Sequence, residues 1–549
     1  DWHVSAAGKT YRKPKEKKAV VQGAGMDWLE IEAAVQFDGQ NVALPILLQA
    51  MRNGQKSVRL DDGTYGLLPQ EWLENFTALT EIGVVQGEKV RIRLQQAALV
   101  AALLQERLQD NDGKFTAALQ TWQQIRPLPP ELPVGFKAQL RPYQADGLAW
   151  LQQMCRAGIG VCLADDMGLG KTVQVLALLA WRKQQNPGRP SLLLLPRSLV
   201  FNWWAEAERF APDLRLGLYL GTQRNRLLRQ LHKYDVILST YGTLRHNPLP
   251  LAKHYFDYCI LDEAQAIKNA DAATAKAVRS LNAEYRLCIT GTPIENNLSE
   301  FFSQLEFLNP GMLGKRFIKF FQRNQFSLGR SQLSDLQRAV RPFLLRRSKE
   351  AVAKDLPPKS VQLLYCELDS EQRAYYDELK EYYQRQLQEK PSSGGGSNFQ
   401  ALTALLRLRQ AACHPGLLND KFRDRVSAKQ KFLLGRLQEL ARSGKKALVF
   451  SQFTGFLKLL KPGLEQLGLK YCYLDGASRD RSELVRQFQQ DENISLFLIS
   501  LKAGGVGLNL TAAEYVFIID PWWNPAVEAQ AIDRAYRIGQ KNAVFAYKL

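Results

Sequence analysis

Short apolar runs punctuate the central chain at Val161 to Leu163, Leu192 to Leu195, Val236 to Leu238, Tyr258 to Leu261 and Arg286 to Ile289. Each is followed by enough sequence for a crossover helix. Consecutive apolar positions are what a strand buried on both faces requires, so the runs predict a parallel sheet covered by helices. A second set at Ala447 to Phe450, Tyr471 to Leu474, Leu496 to Ile499 and Tyr515 to Ile519 repeats the rhythm, giving two α/β lobes in tandem. Between them, Ser299 to Ala428 turns helical in pattern and rich in Gln, Arg, Phe and Tyr. It reads as one helical insertion on each lobe, interrupted by the flexible Gly/Ser stretch Ser392 to Ser397.

The pattern ahead of the lobes is different. Trp28 to Phe37 alternates apolar and polar positions, Asp38-Gly39 is a turn signal, Leu44 to Met51 has helical spacing, and Ser57 to Leu60 with Tyr65 to Leu68 reads as a hairpin. Helical patterns follow, clearest from Gln96 to Leu108. The expected organisation is a basic, flexible tail over 1–22, a small α+β module over 23–126 and a proline-rich linker over 127–134. Lobe 1 then spans 135–345 with a helical protrusion over 299–345, and lobe 2 spans 346–549 with an insertion over 366–425. The basic run Lys9 to Lys18 reads first as a solvated tail and second as an arm on nucleic acid.

Composition narrows the classes. A chain of 549 residues is too long for one core. No apolar run nears the roughly 18 residues of a membrane span. The seven cysteines include no C-x-x-C pair, which argues against zinc and disulfide frameworks and fits a reducing, cytoplasmic setting. A formal net charge of +19 points towards a polyanion such as nucleic acid. The chain opens at Asp1 without a methionine or a signal-peptide pattern, as a fragment of a longer protein would.

The candidate chemistry centres on Ile159 to Gln174, where a buried strand, a turn with Gly168 and Gly170, and a buried helix follow in phosphate-loop order. In such a loop backbone N–H groups converge on phosphate oxygens, Lys171 reaches the outer phosphates and the Thr172 hydroxyl can hold Mg²⁺. Asp165 stands where G-x-x-x-x-G-K-[ST] has glycine, so a chance Gly-rich turn remains open for this stretch alone. Downstream, Asp262 and Glu263 end an apolar strand. One carboxylate suits Mg²⁺, the other suits water orientation or deprotonation, and a solvated strand cap is the plain alternative. Near the C-terminus Arg534 and Arg537 stand three apart, as on one helical face. They are surface charge, or arginine fingers if directed across an interlobe cleft.

These motifs together resemble the SWI/SNF-type ATPases of helicase superfamily two. The resemblance covers roughly Gln139 to Lys548 and rests on L-R-P-Y-Q (140 to 144), L-A-D-D-M-G-L-G-K-T (163 to 172), D-E-A-Q (262 to 265), T-G-T-P (290 to 293), S-Q-F (451 to 453), D-G-A-S-R-D-R (475 to 481), S-L-K-A-G-G-V-G-L-N-L (500 to 510) and the two-arginine segment. It implies two RecA-like lobes with parallel sheets, helical protrusions inserted in each, and a preceding module like that of many bacterial members. It makes the acidic residue at 165 usual. It assigns Gln144 to adenine, the loop residues Asp166, Gly168, Leu169, Gly170, Lys171 and Thr172 to ATP, Asp262 to Mg²⁺, and Gly505, Arg534 and Arg537 to completing the ATP site from lobe 2. Arg197, Ser239, Thr240, Ser451, Gln452, Arg479, Lys502 and Trp523 would face or support a nucleic-acid groove, though Trp522 and Trp523 serve equally well as lobe core.

The function this implies is a DNA-stimulated ATPase that translocates on double-stranded DNA and remodels protein–DNA complexes without extensive strand separation, nucleoid-associated if bacterial. Two alternatives stand beside it: an ATPase that recycles RNA polymerase or another nucleoprotein, and an ATP-inactive scaffold that binds nucleic acid. Tyr536 departs from the histidine frequent at that position in the family. The expected partners are duplex DNA and a DNA-bound protein, with no membrane and no zinc.

Overall fold

Alternation builds the N-terminal module. In the strand Trp28–Phe37 (β4), Leu29, Ile31, Ala33, Val35 and Phe37 are buried and Glu32 faces solvent. The computed structural model describes residues 4–549 apart from 7–8, 26, 70–71, 74–75, 77–78, 81, 105–107, 124–127, 222–223, 292–297, 314–339, 390–395, 479 and 502–507. Preceding β4 are Val4–Ala6 (β1), Lys9–Arg12 (β2) and Glu16–Gly23 (β3). After it come Gln40–Ala43 (β5), Ser57–Arg59 (β6), Tyr65–Leu67 (β7), Val84–Gln86 (β8), Lys89–Arg93 (β9) and Gln109–Asp110 (β10). Two sheets result, in the orders β1-β2-β7-β6 and β10-β3-β4-β9-β8. The helix Leu44–Arg52 and the helix Ala97–Leu104 bear on the same core. Asp38 and Gly39 both take positive φ (46° and 89°), the geometry of a tight hairpin turn, and β5 pairs back on β4.

The basic run is not a tail. Lys9 to Lys18 forms β2 and the first half of β3, and β3 pairs with β4 from Glu16 opposite Gln36 to Gly23 opposite Leu29. Farther along β3, Ala19 and Val21 enter the core, while Glu16, Lys17 and Lys18 stay exposed. A count of charges misses two buried side chains that anchor a strand.

The first lobe carries Val161–Leu163 (β11), Ser191–Leu195 (β12), Leu216–Leu218 (β13), Val236–Thr240 (β14), Tyr255–Asp262 (β15), Asn282–Ile289 (β16) and Leu344–Leu345 (β17). They form one parallel sheet in the order β13-β14-β12-β15-β16-β11-β17. The second lobe carries Lys359–Leu363 (β18), Ala447–Ser451 (β19), Lys470–Leu474 (β20), Ile494–Ser500 (β21), Tyr515–Ile518 (β22) and Val544–Lys548 (β23), parallel in the order β18-β23-β22-β19-β21-β20. Every apolar run of the sequence pattern is a strand. The additional strands β13, β17, β18 and β23 are short or lie at or next to sheet edges, where burial on both faces is not demanded.

The helix Leu298–Leu308 departs from the expected protrusion. Phe301, Phe302, Leu305 and Phe307 have no exposed surface and belong to the core of lobe 1. The rest of that expected protrusion, 314–339, lies outside the described residues. In the second lobe the helices Ser370–Glu389 and Gly396–Cys413 pack on one another.

The chain divides into two compact units. The first holds the module and most of lobe 1 (1–165, 171–195 and 206–347), and the second holds 166–170, 196–205 and 348–549. Within the first unit the linker docks on lobe 1: Gln152 exchanges two hydrogen bonds with the Glu131 backbone (3.0 and 2.7 Å), and the Trp181 indole donates to the Glu131 carboxylate at 2.7 Å. The module is fixed by Gln96, which is 2% exposed. Its amide accepts from the Arg93 N–H at 2.6 Å and donates to the Met312 carbonyl at 2.6 Å. Gln96→Ala leaves both backbone groups unsatisfied and is expected to lower unfolding free energy by about 2 kcal/mol. A denaturant midpoint unchanged from wild type would contradict this.

Candidate functional site

In parallel sheets ligands gather beyond the carboxyl ends of strands, because helix N-termini point there. At the end of β11 the chain passes through Ala164 and Asp165 into the turn, where Gly168 (φ 85°) and Gly170 (φ 75°) occupy the left-handed region open to glycine. The helix Lys171–Gln185 begins immediately afterwards. Lys171 donates its ammonium to the Asp165 carbonyl, and Thr172 is half-buried in the first turn.

Asp165 has no exposed surface. It accepts from the Arg347 guanidinium at 2.9 and 2.5 Å and from the Gln174 amide at 3.2 Å. Arg347 also donates to the Gln174 carbonyl oxygen at 2.9 Å and to the Tyr143 carbonyl. Its guanidinium lies 5.3 Å from the Tyr143 ring centroid. Gln144, beside Tyr143, is 6% exposed, and its side-chain oxygen accepts the Arg141 N–H at 3.0 Å as a helix cap. One ion-paired network therefore joins the start of the loop, its helix and the segment carrying Gln144.

At the end of β15, Asp262 is 8% exposed and accepts the Glu263 N–H at 2.9 Å, while the Tyr241 hydroxyl donates to the Asp262 carbonyl at 2.7 Å. Burial among Cys288, Asp262 and Glu263 drives the Tyr241 hydroxyl well above the usual phenol range, so it stays a donor. Glu263 takes φ 53°, ψ 56°, a left-handed conformation rare for a residue with a side chain. The Gln265 amide donates to the Glu263 carboxylate at 2.8 Å, and the Thr290 hydroxyl donates to the other end of that amide at 3.1 Å. The D-E-A-Q and T-G-T-P segments thus meet through Gln265.

Within the second unit, Asp166 accepts the Lys349 N–H at 3.1 Å, the Leu169 N–H donates to the Asp166 carbonyl at 3.4 Å, and the Ile538 N–H donates to the Gly168 carbonyl at 3.4 Å. A Cβ on Gly168 would stand 2.5 Å from the Arg537 Cβ, so this position requires glycine on packing grounds too. Arg534 and Arg537 do not sit on a helical face. The helix Pro525–Ile532 stops before them, with Asp533 as its cap, and both lie in tight turns where Tyr536 N–H still reaches the Ile532 carbonyl at 3.0 Å. The turn ends at Gly539 (φ 100°), which the period-three spacing did not register. Arg534 is 4% exposed, and Arg537 donates to the Leu508 carbonyl at 3.3 Å.

The nucleic-acid candidates fall into different environments. Arg197 is exposed. Ser239 is buried and donates to the Tyr219 carbonyl at 3.1 Å, and Thr240 caps the following short helix by accepting the Thr243 N–H. Ser451 is buried and accepts the Phe453 N–H at 3.0 Å. The Gln452 N–H is held by Asp520, while its side-chain nitrogen is shielded and bonds to no described residue. Trp523 is 63% exposed, against the core reading, and Trp522 is half-buried. The Arg409 guanidinium lies 5.2 Å from the Trp523 ring and 5.9 Å from the Trp522 ring. Arg479, Lys502 and Gly505 lie outside the described residues. Sequence reasoning missed Arg347, Arg409 and Asp520, whose roles come from long-range contacts.

Arg347→Met leaves the Asp165 carboxylate buried without its counter-charge and should cost about 3–5 kcal/mol, with Asp165→Asn in the same chain recovering part of it. A loss below about 1 kcal/mol in the single variant would refute the network. Burial pushes the Asp520 carboxyl up to about 6, against the hydrogen bonds from Ser451 and Gln452. A raised folded value means the native state holds the extra proton. The contribution, up to about 3 kcal/mol, is therefore present below pH about 4 and lost as pH rises through 6. Melting curves of Asp520→Asn from pH 4 to 7 should lack that component.

The SNF2-related domain matches residues 143–417, and the helicase conserved C-terminal domain matches 428–539. The chain is 37% identical over 434 residues to the putative ATP-dependent helicase/translocase YwqA of Bacillus subtilis, covering 75% of this chain and 46% of that one. It is 34% identical over 500 residues to the TATA-binding protein-associated factor MOT1 of Saccharomyces cerevisiae, covering 77% and 27%. The chain thus spans less than half the length of these curated relatives. Among solved structures, the Sulfolobus solfataricus SWI2/SNF2 ATPase core in complex with dsDNA is 36% identical, covers 77% of this chain and 90% of that one, and superposes with a TM-score of 0.43. The two parallel-sheet lobes are the RecA-like pair, and the chain belongs to the SNF2-related family, the SWI/SNF-type ATPases of helicase superfamily two.

Proposed function

We propose that the chain hydrolyses ATP under stimulation by double-stranded DNA and translocates on the duplex with little strand separation, remodelling protein–DNA complexes. The observation that carries this reading is Glu263, held in a strained left-handed turn beside the nearly buried Asp262. A scaffold with a dead ATP site has no use for such strain, whereas a water-orienting carboxylate aimed off a strand end does.

The loop N–H groups and Lys171 bind the phosphates. Thr172 and Asp262 offer hard oxygen ligands of the kind Mg²⁺ takes, and their chemistry fits it: the nearly buried Asp262 carboxylate ends β15 and the Thr172 hydroxyl stands in the first turn of the helix Lys171–Gln185. When held by these two residues, such an ion would supply positive charge against the triphosphate. Glu263 orients the attacking water and takes its proton, with Gln265 and Thr290 fixing its direction. Arg534 and Arg537 supply positive charge as it develops on the transferring phosphoryl group, an effect worth about 10³ to 10⁵ in rate where it is known.

The net charge of +19 and the exposed Trp523 with Arg409 against it support a nucleic-acid track. The names of the relatives, a helicase/translocase and a TATA-binding protein-associated factor, favour duplex DNA and a protein bound to it.

ATP turnover measured without polymer and with duplex DNA, single-stranded DNA and RNA tests the reading. Stimulation by duplex above the others is expected, and equal rates throughout would defeat it. Lys171→Ala and Glu263→Gln should each lower turnover by at least about 10²-fold with duplex affinity retained, since both act at the triphosphate and not on the duplex. Turnover persisting in both would remove these residues from the chemistry.

A further inference from the structure

Lys349 is a charge placed where charges are rare. It is 2% exposed, and its ammonium meets the Asp533 carboxylate at 2.5 Å and the Tyr536 carbonyl at 2.7 Å. The ring of Tyr536 lies 5.0 Å away. Its backbone N–H holds the Asp166 carboxylate at 3.1 Å. A buried ion pair is poor evidence for stability, because desolvation of the two charges consumes most of the attraction. Its geometry has another use. Asp533 caps the helix Pro525–Ile532 and immediately precedes Arg534, and Tyr536 immediately precedes Arg537. One ammonium therefore fixes the residue before each arginine, while the same residue's main chain fixes the phosphate-loop acid.

We propose that Lys349 is the positioning residue for Arg534 and Arg537, clasping the turn that bears them and setting its register against the phosphate loop. The proposal rests on the reading of those arginines as transition-state groups. The clasp depends on charge. Lys349 faces Asp533, Asp166, Lys359 and Tyr536, with Glu350 next in the chain, and burial pushes its ammonium down to about 8 although Asp533 opposes this. The paired form is thus lost as pH rises through 8. Between 8 and the ordinary lysine value the unfolded chain binds more protons than the folded one, so this group's own contribution to stability rises there. Turnover lost above pH 8 through this group is therefore not unfolding.

The test compares Lys349→Met, which keeps the stem and removes the charge, with Lys349→Arg, which keeps the charge, each beside Arg534→Ala and Arg537→Ala in the full chain with saturating duplex DNA. Lys349→Met should lower kcat about 10²-fold, the scale of a misplaced catalytic group, with KM for ATP within about threefold. Adding it to Arg537→Ala should cost little more, and Lys349→Arg should restore kcat and carry it past pH 8. Melting temperatures separate misfolding from misplacement. If Lys349→Met keeps wild-type kcat while the arginine variants are slow, or if its effect multiplies with that of Arg537→Ala, the positioning role is wrong and the arginine reading stands. If both arginine variants turn over normally, that reading falls and takes this one with it.

Discussion

A carboxylate with no exposed surface stands where other phosphate loops have glycine, and the arrangement around it follows from the need to pair it. Asp165 is held by Arg347 in a two-pronged contact and by Gln174, and Arg347 spends its remaining donors on the Tyr143 carbonyl and Gln174. Burying a charge without partners would cost several kcal/mol, so the loop start, the helix that follows it and the helix carrying Gln144 are locked in one arrangement. The edge strand β17 supports this from the backbone: it pairs with β11, and its Leu345 carbonyl accepts the Ala164 N–H at 2.7 Å. A glycine at 165 would permit the turn but would not tie it to the chain leaving lobe 1.

The proposed chemistry then sits where parallel sheets gather ligands. β11 and β15 end at the same side of one sheet, separated by β16, and the residues beyond them are Lys171 and Thr172 in one case and Asp262 and Glu263 in the other. Thr290, just past β16, bridges the two: its N–H donates to the Leu163 carbonyl at the end of β11 and its hydroxyl to the Gln265 amide oxygen, both at 3.1 Å. In the second unit the same economy appears with a different polar core: Lys349, Asp533 and Tyr536 fix the turn of Arg534 and Arg537. Each set of candidate reacting groups stands beside a buried ion pair. Such pairs add little net stability but penalise other arrangements, which suits side chains that must be placed to within a fraction of an ångström.

Much of this was legible in the sequence because it is local. The strands with consecutive buried positions were visible as apolar runs, and the loop, the acidic pair and the duplicated lobe were visible as motifs in order. What escaped depended on distant partners. Lys9 to Lys18 looked solvated because charge outweighed the few apolar residues beyond it, yet Ala19 and Val21 anchor β3 and the pairing runs back through the lysines. Arg534 and Arg537 have helical spacing, but Asp533 is drawn to Lys349, 184 residues earlier in the chain, and the helix ends there. The helix Leu298–Leu308 carries Glu300 and Gln304 beside its phenylalanines, and only packing shows that the latter complete the lobe 1 core. Arg347 carries no pattern at all, since its meaning is the carboxylate it meets 182 residues away.

In the mechanism we propose, triphosphate held by Lys171 is triggered by guanidinium groups from the turn after Ile532. The most direct measurement is a structure of the chain with duplex DNA and a transition-state mimic of the terminal phosphate. It should place guanidinium nitrogens of Arg534 and Arg537 within hydrogen-bond distance, about 3 Å, of the phosphoryl oxygens or their mimic. Both arginines directed away from those oxygens in that state would contradict the account.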